Sequence, residues 1–178
     1  MKLSPAIQTF ILHWGEMGTR WGVNRTVAQV HALLYASPRP LNAEEIAQTL
    51  AVARSNVSTS LRELESWGIV KAVHQLGDRR EHYQSMTDVW EMARVILDER
   101  KRREIDPTLL HLRECVDELK NAGPTEEVAR GRLLDMLEFL ETLSSLYQKI
   151  GQMPTGAVRG FLKAQGRVRK ILKGKPVT

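Results

Sequence analysis

Residues 41–70, LNAEEIAQTLAVARSNVSTSLRELESWGIV, decide the fold of this chain. Asn42 and Glu45 have the three-residue spacing of a capping box, in which each side chain bonds the other residue's backbone N–H, so a short helix is expected to begin there. The residues of this helix predicted to point to the core are Ile46, Ala47 and Leu50. The small side chain of Ala47 allows a second helix to cross closely.

A second helix is predicted after a turn formed by Ala51 and Val52. It is expected to run from about Arg54 to Trp67 and to stop at Gly68, because glycine readily adopts the left-handed conformation that ends helices. Three apolar residues at steps of four and three form its inner face: Val57, Leu61 and Leu64. The residues of the opposite face are Ser55, Asn56, Thr59, Arg62 and Glu63.

This polar face has the composition of a DNA recognition helix. The major groove presents hydrogen-bond donors and acceptors that asparagine and arginine match with two bonds, while serine and threonine reach either base edges or phosphates. The N-terminus of a helix also favours a phosphate, and Arg54 lies there. The residues predicted to contact DNA from this helix are Arg54, Ser55, Asn56, Thr59 and Arg62.

Residues 69–86, IVKAVHQLGDRREHYQSM, are predicted to form a two-stranded hairpin. The apolar residues of the first strand alternate with polar ones, and Gly77-Asp78 is expected to supply the turn, although a longer loop is also compatible. Arg79 and Arg80 would then lie at or just beyond the tip. Two arginines on a narrow ribbon suit contact with phosphates or insertion into the minor groove, so both are predicted DNA contacts.

Helices are expected on both sides of this segment. The first should open at Ser4-Pro5, and a narrow apolar stripe runs along it to Trp21: Ile7, Ile11, Trp14, Gly18 and Trp21. Asn24 is expected to cap a second helix, with Val27, Val30, His31 and Leu34 on one face. Pro38 and Pro40 should end that second helix.

The rest of the chain, beyond Asp88, is predicted to be helical with three interruptions. Asp106-Pro107 should break or kink the first helix, and a turn at residues 121–124 should precede a new helix capped by Thr125. That helix, residues 126–150, is apolar on more than one side and is expected to end at residues 151–154. A small protein has little interior in which to bury it, so a partner subunit is predicted to cover it.

Charge and composition indicate a basic C-terminal segment and argue against a membrane-spanning protein. The net charge is +5, yet residues 151–178 contain seven lysines or arginines and no acidic residue, so residues 1–150 sum to −2. The basic segment 154–173 could form a helix that docks on the dimer, contacts phosphates or lies on a membrane, and docking is the default expectation. No run of apolar residues approaches the ~20 that a membrane-spanning helix needs, and no partner membrane is expected.

Neither an enzyme nor a metal site is indicated by the motifs. The sequence has no phosphate-binding glycine loop, nucleophile elbow or H-E-x-x-H motif, and no cofactor is predicted. His111 and Cys115 share a helix face, but metal sites usually need three or four ligands, so we expect both to be structural. The single cysteine and the absence of a leader-like cleavage site at the start favour a reducing, cytoplasmic location.

Together these motifs resemble the MarR superfamily of winged-helix regulators, and within it the GbsR-type branch. The shared features are AEEIA-x-x-L at residues 43–50, SNVS-x-x-L-x-E-L-E-x-W-G at residues 55–68, GDRREHY at residues 77–83, and W-E-M at residues 90–92. The resemblance is strong over residues 41–95 and architectural outside them. One departure is Ala53, which stands where such helices often have serine. Ser55 is then expected to take over the cap, which would compete with base contact.

The resemblance implies a mainly α fold with a small β-hairpin wing. Residues 1–25 would be an N-terminal dimerisation helix, residues 26–87 a winged helix-turn-helix that binds DNA, and residues 88–178 a helical dimerisation region with a basic C-terminal helix. The implied function is a homodimeric, sequence-specific regulator of transcription that binds double-stranded DNA, acting as a repressor. The alternative is a winged-helix adaptor that binds proteins and not DNA.

A small-molecule effector is a further expectation. Some GbsR-type relatives respond to choline-like quaternary amines, and tryptophan faces bind such cations through cation–π attraction. Trp14, Trp21 and Trp90 are the candidate residues for an effector site of this kind. The alternative is that these tryptophans pack in the core, as their spacing also permits.

Overall fold

The computed structural model describes residues 3–121, 123–154, 156–157 and 160. These residues form mainly helices and one three-stranded antiparallel sheet, which confirms the predicted fold class. The chain divides into two compact units, Met1–Ile96 and Leu97–Thr178. The elements are α1 (Pro5–Arg20), α2 (Arg25–Ala36), β1 (Leu41–Asn42), α3 (Ala43–Leu50), α4 (Arg54–Ser66), β2 (Val70–Gln75), β3 (Asp78–Ser85), α5 (Val89–Arg100), a π-helical turn (Lys101–Ile105), α6 (Asp106–Glu118), a 3-10 turn (Leu119–Asn121) and α7 (Pro124–Gln152).

Helices α1 and α2 begin where the sequence predicts. The Ser4 side chain accepts a hydrogen bond from the backbone N–H of Ile7, and the Asn24 side chain accepts one from Thr26. The two helices pack so closely that a Cβ atom added to Gly18 would lie 2.5 Å from the Cβ of Ala28. This distance is shorter than real Cβ contacts, so the helix pair requires glycine at this position.

The core of the first unit lies between α2 and the helix-turn-helix formed by α3 and α4. Helix α2 is apolar nearly all round and is buried along most of its length. The predicted inward residues of α3 and α4 are in this core, with Leu50 only partly buried: Ile46, Ala47, Leu50, Val57, Leu61 and Leu64. His31 is also buried, with a relative exposure of 5%. This packing fixes the outer face of α4.

The sheet has the strand order β1-β3-β2. In the hairpin Gln75 pairs with Asp78, so the turn consists of Leu76 and Gly77, and Asp78 already belongs to the return strand. The predicted turn at Gly77-Asp78 is therefore one residue too late. An irregularity in the pairing between Val73 and Gln75 shifts the register, and the alternation of residue types alone does not reveal such a shift.

The second unit is built on α6 and α7, which pack along each other. Pro107 does not break the helix, contrary to one of the two predicted effects. The backbone stays helical through Asp106, whose N–H donates to the carbonyl of Lys101 five residues earlier, in a π-helical turn. Because proline has no N–H, the hydrogen-bond pattern changes just before it.

Helix α7 is longer than predicted and is capped differently. It begins at Pro124 with Gly123 at the N-cap, and no side chain caps it, so Thr125 lies inside the helix and is not the cap. Its less exposed residues occupy one face: Leu133, Leu137, Leu140, Ser144 and Tyr147. On another face large apolar residues are exposed: Val128, Met136, Phe139, Leu146 and Ile150.

In the described part of the chain, no helix has both the length and the apolar character that crossing a bilayer requires. The basic segment 154–173 falls almost entirely outside the described residues, so its predicted docking remains a prediction.

Candidate nucleic-acid interface

Helices α3 and α4 form a tight helix-turn-helix. Helix α3 begins with the predicted capping box, in which the Asn42 side chain accepts from the Glu45 N–H and the Glu45 carboxylate accepts from the Asn42 N–H, each at 3.0 Å. It ends at Ala51, which has a φ of 54° in the left-handed region, and the Val52 N–H donates to the carbonyl of Ala47. The chain thus turns within three residues and starts α4 at Arg54.

The polar face of α4 does not pack against the core and is exposed to solvent. The side chains predicted to contact DNA from this helix are all exposed: Arg54, Ser55, Asn56, Thr59 and Arg62. The Arg62 guanidinium lies 3.4 Å from the hydroxyl oxygen of Thr59, a long contact that leaves most of its donors free. The structure therefore brings the five residues together on one exposed helical surface.

The N-terminus of α4 carries no side-chain cap. Ala53 occupies the N-cap position with extended backbone angles, and its carbonyl accepts the first helical bond, from Val57. The expectation that Ser55 replaces the missing cap is wrong: it lies in the first turn of the helix and does not cap it. The N–H groups of the first turn are therefore available, and they attract anions such as phosphate.

In the wing, Asp78 holds Arg80. The Asp78 carboxylate accepts from the Arg80 backbone N–H at 3.0 Å, from Nε at 3.0 Å and from Nη2 at 2.6 Å. These hydrogen bonds hold the pKa of Asp78 well below its usual range and raise the pKa of Arg80. The buried His82 ring lies 3.7 Å from the same carboxylate. The wing tip is thus braced by a cluster of three side chains, which we call the wing clasp: Asp78, Arg80 and His82.

Consequently the two predicted wing arginines differ. The Arg79 side chain is exposed and forms no ion pair or hydrogen bond within the described residues, so its full charge faces solvent. Arg80 also remains 63% exposed at its side chain, but its charge is offset by Asp78. The sequence prediction does not include the clasp, although the spacing of Asp78 and Arg80 is a signal for it.

The predicted tryptophan site is only partly assembled. The rings of Trp14 and Trp21 meet edge to face with their centroids 6.3 Å apart, and Phe10 packs against Trp14 at 5.6 Å. Trp21 is 54% exposed. Trp90 forms no ring contact with either tryptophan in the described part of the chain. The structure thus joins two of the three candidates and leaves the third apart.

The described residues contain no group of three side chains suited to hold a metal ion. The His111 ring contacts Glu114 at 3.0 Å, and Cys115 is exposed. The buried position next to Cys115 belongs to Val116.

Comparison with known proteins gives a family match over part of the chain and a fold. The model of the MarR family matches residues 21–81, which cover α2 to α4 and most of the wing. A transcriptional regulator of known crystal structure superposes with a TM-score of 0.64 over 83% of this chain and 96% of that chain, at 21% identity. At that identity the likeness shows the fold alone.

Two further solved structures are less similar. A transcriptional regulator from Thermotoga maritima has a TM-score of 0.39 at 16% identity, covering 84% of this chain and 94% of that one. A MarR-family regulator from a Rhodococcus species has a TM-score of 0.36 at 17% identity, covering 67% and 90%. TM-scores this low do not establish a shared fold. Curated protein sequences give no significant match. Residues 21–81 of this chain match the MarR family, and the chain has the fold of a transcriptional regulator of known crystal structure.

Proposed function

We propose that the protein is a sequence-specific, double-stranded DNA-binding regulator of transcription, acting in the cytoplasm as a homodimeric repressor. The observation that carries the proposal is the exposed polar face of α4, which starts at an uncapped N-terminus and shares its unit with a braced, basic wing. Free N–H groups and arginines favour phosphates, while Asn56 and Arg62 have the donors and acceptors that base edges require.

The apolar outer face of α7 supports a homodimer. Phe139 is 64% exposed, and exposed apolar residues follow one another on the same face at steps of three, seven and four residues: Met136, Phe139, Leu146 and Ile150. This spacing is the heptad pattern by which helices pack on one another. Monomers rarely expose a continuous apolar patch of this kind without a partner, and a second copy of α7 offers the same pattern in return.

The mechanism we infer is steric occupation of a promoter. Two recognition helices related by a twofold axis would enter successive major grooves about 34 Å apart, and the wings would contact the flanking minor grooves. A dimer in this position would exclude other proteins from the same DNA. Repression follows from this arrangement without any further activity of the chain.

A cationic effector is the finer part of the proposal. The edge-to-face pair of Trp14 and Trp21 leaves part of an indole surface exposed, which is the feature that attracts quaternary amines. Together with the resemblance to the GbsR-type branch, this supports a choline-like ligand as the first to test. Trp90 remains a candidate member of that site.

The test is selection from random-sequence duplexes by the purified protein. The expected result is an inverted repeat whose half-sites are one helical turn, about 10 base pairs, apart. Asn56→Ala should then weaken the free energy of binding to the selected duplex by about 1–3 kcal/mol and change binding to random DNA little. Ser66→Ala, at the far end of α4, is the matched control. A protein that enriches no sequence and shows no salt-dependent binding would instead be the protein-binding adaptor.

A further inference from the structure

Leu76 is the most exposed large apolar side chain in the described part of the chain. Its relative exposure is 109%, which means that no described residue covers it. It occupies the first position of the two-residue turn at the tip of the wing, where small polar residues are usually found. A leucine in that place gains nothing for the fold of the described residues.

The wing holds this leucine in a defined position. Gln75 and Asp78 pair directly across the turn, and Gly77 has a φ of +84°, a left-handed conformation that glycine adopts without strain. The wing clasp then fixes the first residues of the return strand. Leu76 is therefore presented outward by a braced hairpin and not by a loose loop.

The charge around the tip indicates the kind of binding partner that Leu76 contacts. Arg79 is the second residue of the return strand, three positions after Leu76 in the sequence, with its charge uncompensated among the described residues. An apolar tip flanked by a free cation matches the minor groove of DNA. That groove is about 6 Å wide, with phosphates along its edges.

We propose that Leu76 is an apolar wedge that enters the minor groove and partly unstacks one base step in each half-site, bending the duplex. Leucine is among the side chains that act in this way in architectural DNA-binding proteins. The inference rests on the proposed function, because the wedge needs DNA to act on. The protein would then also discriminate between DNA sequences by how easily the base steps beneath the wing deform. Flexible steps unstack at the lowest cost in free energy.

The experiment uses the duplex obtained by selection from random sequences, with 2-aminopurine replacing adenine at successive positions beside each half-site. This base fluoresces more strongly when it is unstacked. Wild-type protein and the Leu76→Met variant should raise the fluorescence at one step per half-site. The Leu76→Ser variant should raise it at none and should bind the duplex roughly tenfold more weakly. Arg79→Gln is the control, because it should weaken binding and lower the salt dependence while keeping the fluorescence signal.

Three outcomes would overturn the wedge. Equal fluorescence with Leu76→Ser and wild type would show that unstacking does not depend on the leucine. If wild-type protein binds and no 2-aminopurine position gains fluorescence, no base step is unstacked. A smaller molecular mass for Leu76→Ser would place the leucine between protein copies. If wild-type protein binds no duplex at all, the proposed function fails first, and the two failures are thus distinguishable.

Discussion

The Asp78 carboxylate accepts hydrogen bonds from both the backbone N–H and the guanidinium of Arg80, while the neighbouring Arg79 remains unpaired among the described residues. Two adjacent arginines therefore have different electrostatic roles. Arg79 contributes a full positive charge to any anion that approaches the wing. Arg80 fixes the conformation of the strand from which that charge is presented.

This difference predicts unequal effects on salt dependence. Arg79→Gln should weaken binding to every duplex and reduce the salt slope by about one unit for each phosphate that the protein no longer neutralises. Arg80→Gln should change the slope less and should increase amide hydrogen exchange across residues 78–82. The measurement is binding at several salt concentrations together with hydrogen exchange. Asp78→Asn is the control: it keeps both arginines and should loosen the wing as Arg80→Gln does. Identical slopes for the two arginine variants would contradict the assignment.

Restoring a cap to α4 should separate stability from binding. Ala53 has the extended angles of an N-cap residue, so Ala53→Ser should place a hydroxyl on the free N–H groups and stabilise the fold by about 1 kcal/mol. The same hydroxyl would compete with a phosphate, so DNA affinity should fall. Urea unfolding and DNA titration measure the two effects. Ala53→Gly is the comparison, because it supplies no hydroxyl. An increase in both stability and affinity would show that no phosphate binds at this helix end.

The outer face of α7 makes a prediction about molecular mass. Light scattering should give about twice the chain mass of 20.2 kDa at micromolar concentration. Phe139→Glu should lower this mass or reduce stability, because it places a charge in the proposed interface. Glu138→Gln, an exposed substitution one residue away, should leave the dimer intact. A stable, folded wild-type monomer would refute the dimer.

Replacement by alanine is expected to have opposite effects at two helical glycines, one packed between α1 and α2 and one open on α7. Gly18→Ala should destabilise the fold by about 1–3 kcal/mol, because its Cβ would overlap the side chain of Ala28. Gly131→Ala should stabilise α7 by about 0.5–1 kcal/mol, since its Cβ meets nothing within 4 Å and alanine favours helix. Thermal unfolding of both variants measures the contrast. Equal behaviour would show that α1 and α2 do not pack this closely.

Buried His31 predicts a loss of stability in mild acid. Burial lowers its pKa to about 4, and its Nε2 has no hydrogen-bond partner among the described residues. The unfolded chain binds this proton below its ordinary pKa of 6.5, whereas the folded chain resists it down to about 4. The free energy of unfolding should therefore fall by roughly 3 kcal/mol as the pH drops from 6.5 to 4.

The check is urea unfolding at several pH values for wild type and for His31→Leu. The variant should lose this part of the pH dependence, while His74→Gln, an exposed substitution, should retain it. An unchanged pH profile in His31→Leu would assign the effect to other groups.

How far the sequence predicts the structure differs between elements. The helix-turn-helix follows from local spacing: the capping box at Asn42 and Glu45 and the apolar steps of α4 need no distant partner to be recognised. The wing turn lies one residue from its predicted place because cross-strand pairing decides it, and the pairing irregularity near Val73 has no clear signature in the sequence. The wing clasp is missed for a related reason. The sequence prediction places Asp78 in the turn, whereas Asp78 begins β3, where alternate residues share a face and Asp78 contacts Arg80 and His82.

The apolar outer face of α7 also has a consequence for regulation. If a second copy covers it, the amount of assembled protein depends on the concentration of chains and not only on the stability of each one. At low expression the dimer would dissociate, and the paired recognition surface would disappear with it. Binding to a promoter would then rise more steeply than in proportion to chain concentration, so the level of synthesis would itself set a threshold for occupancy.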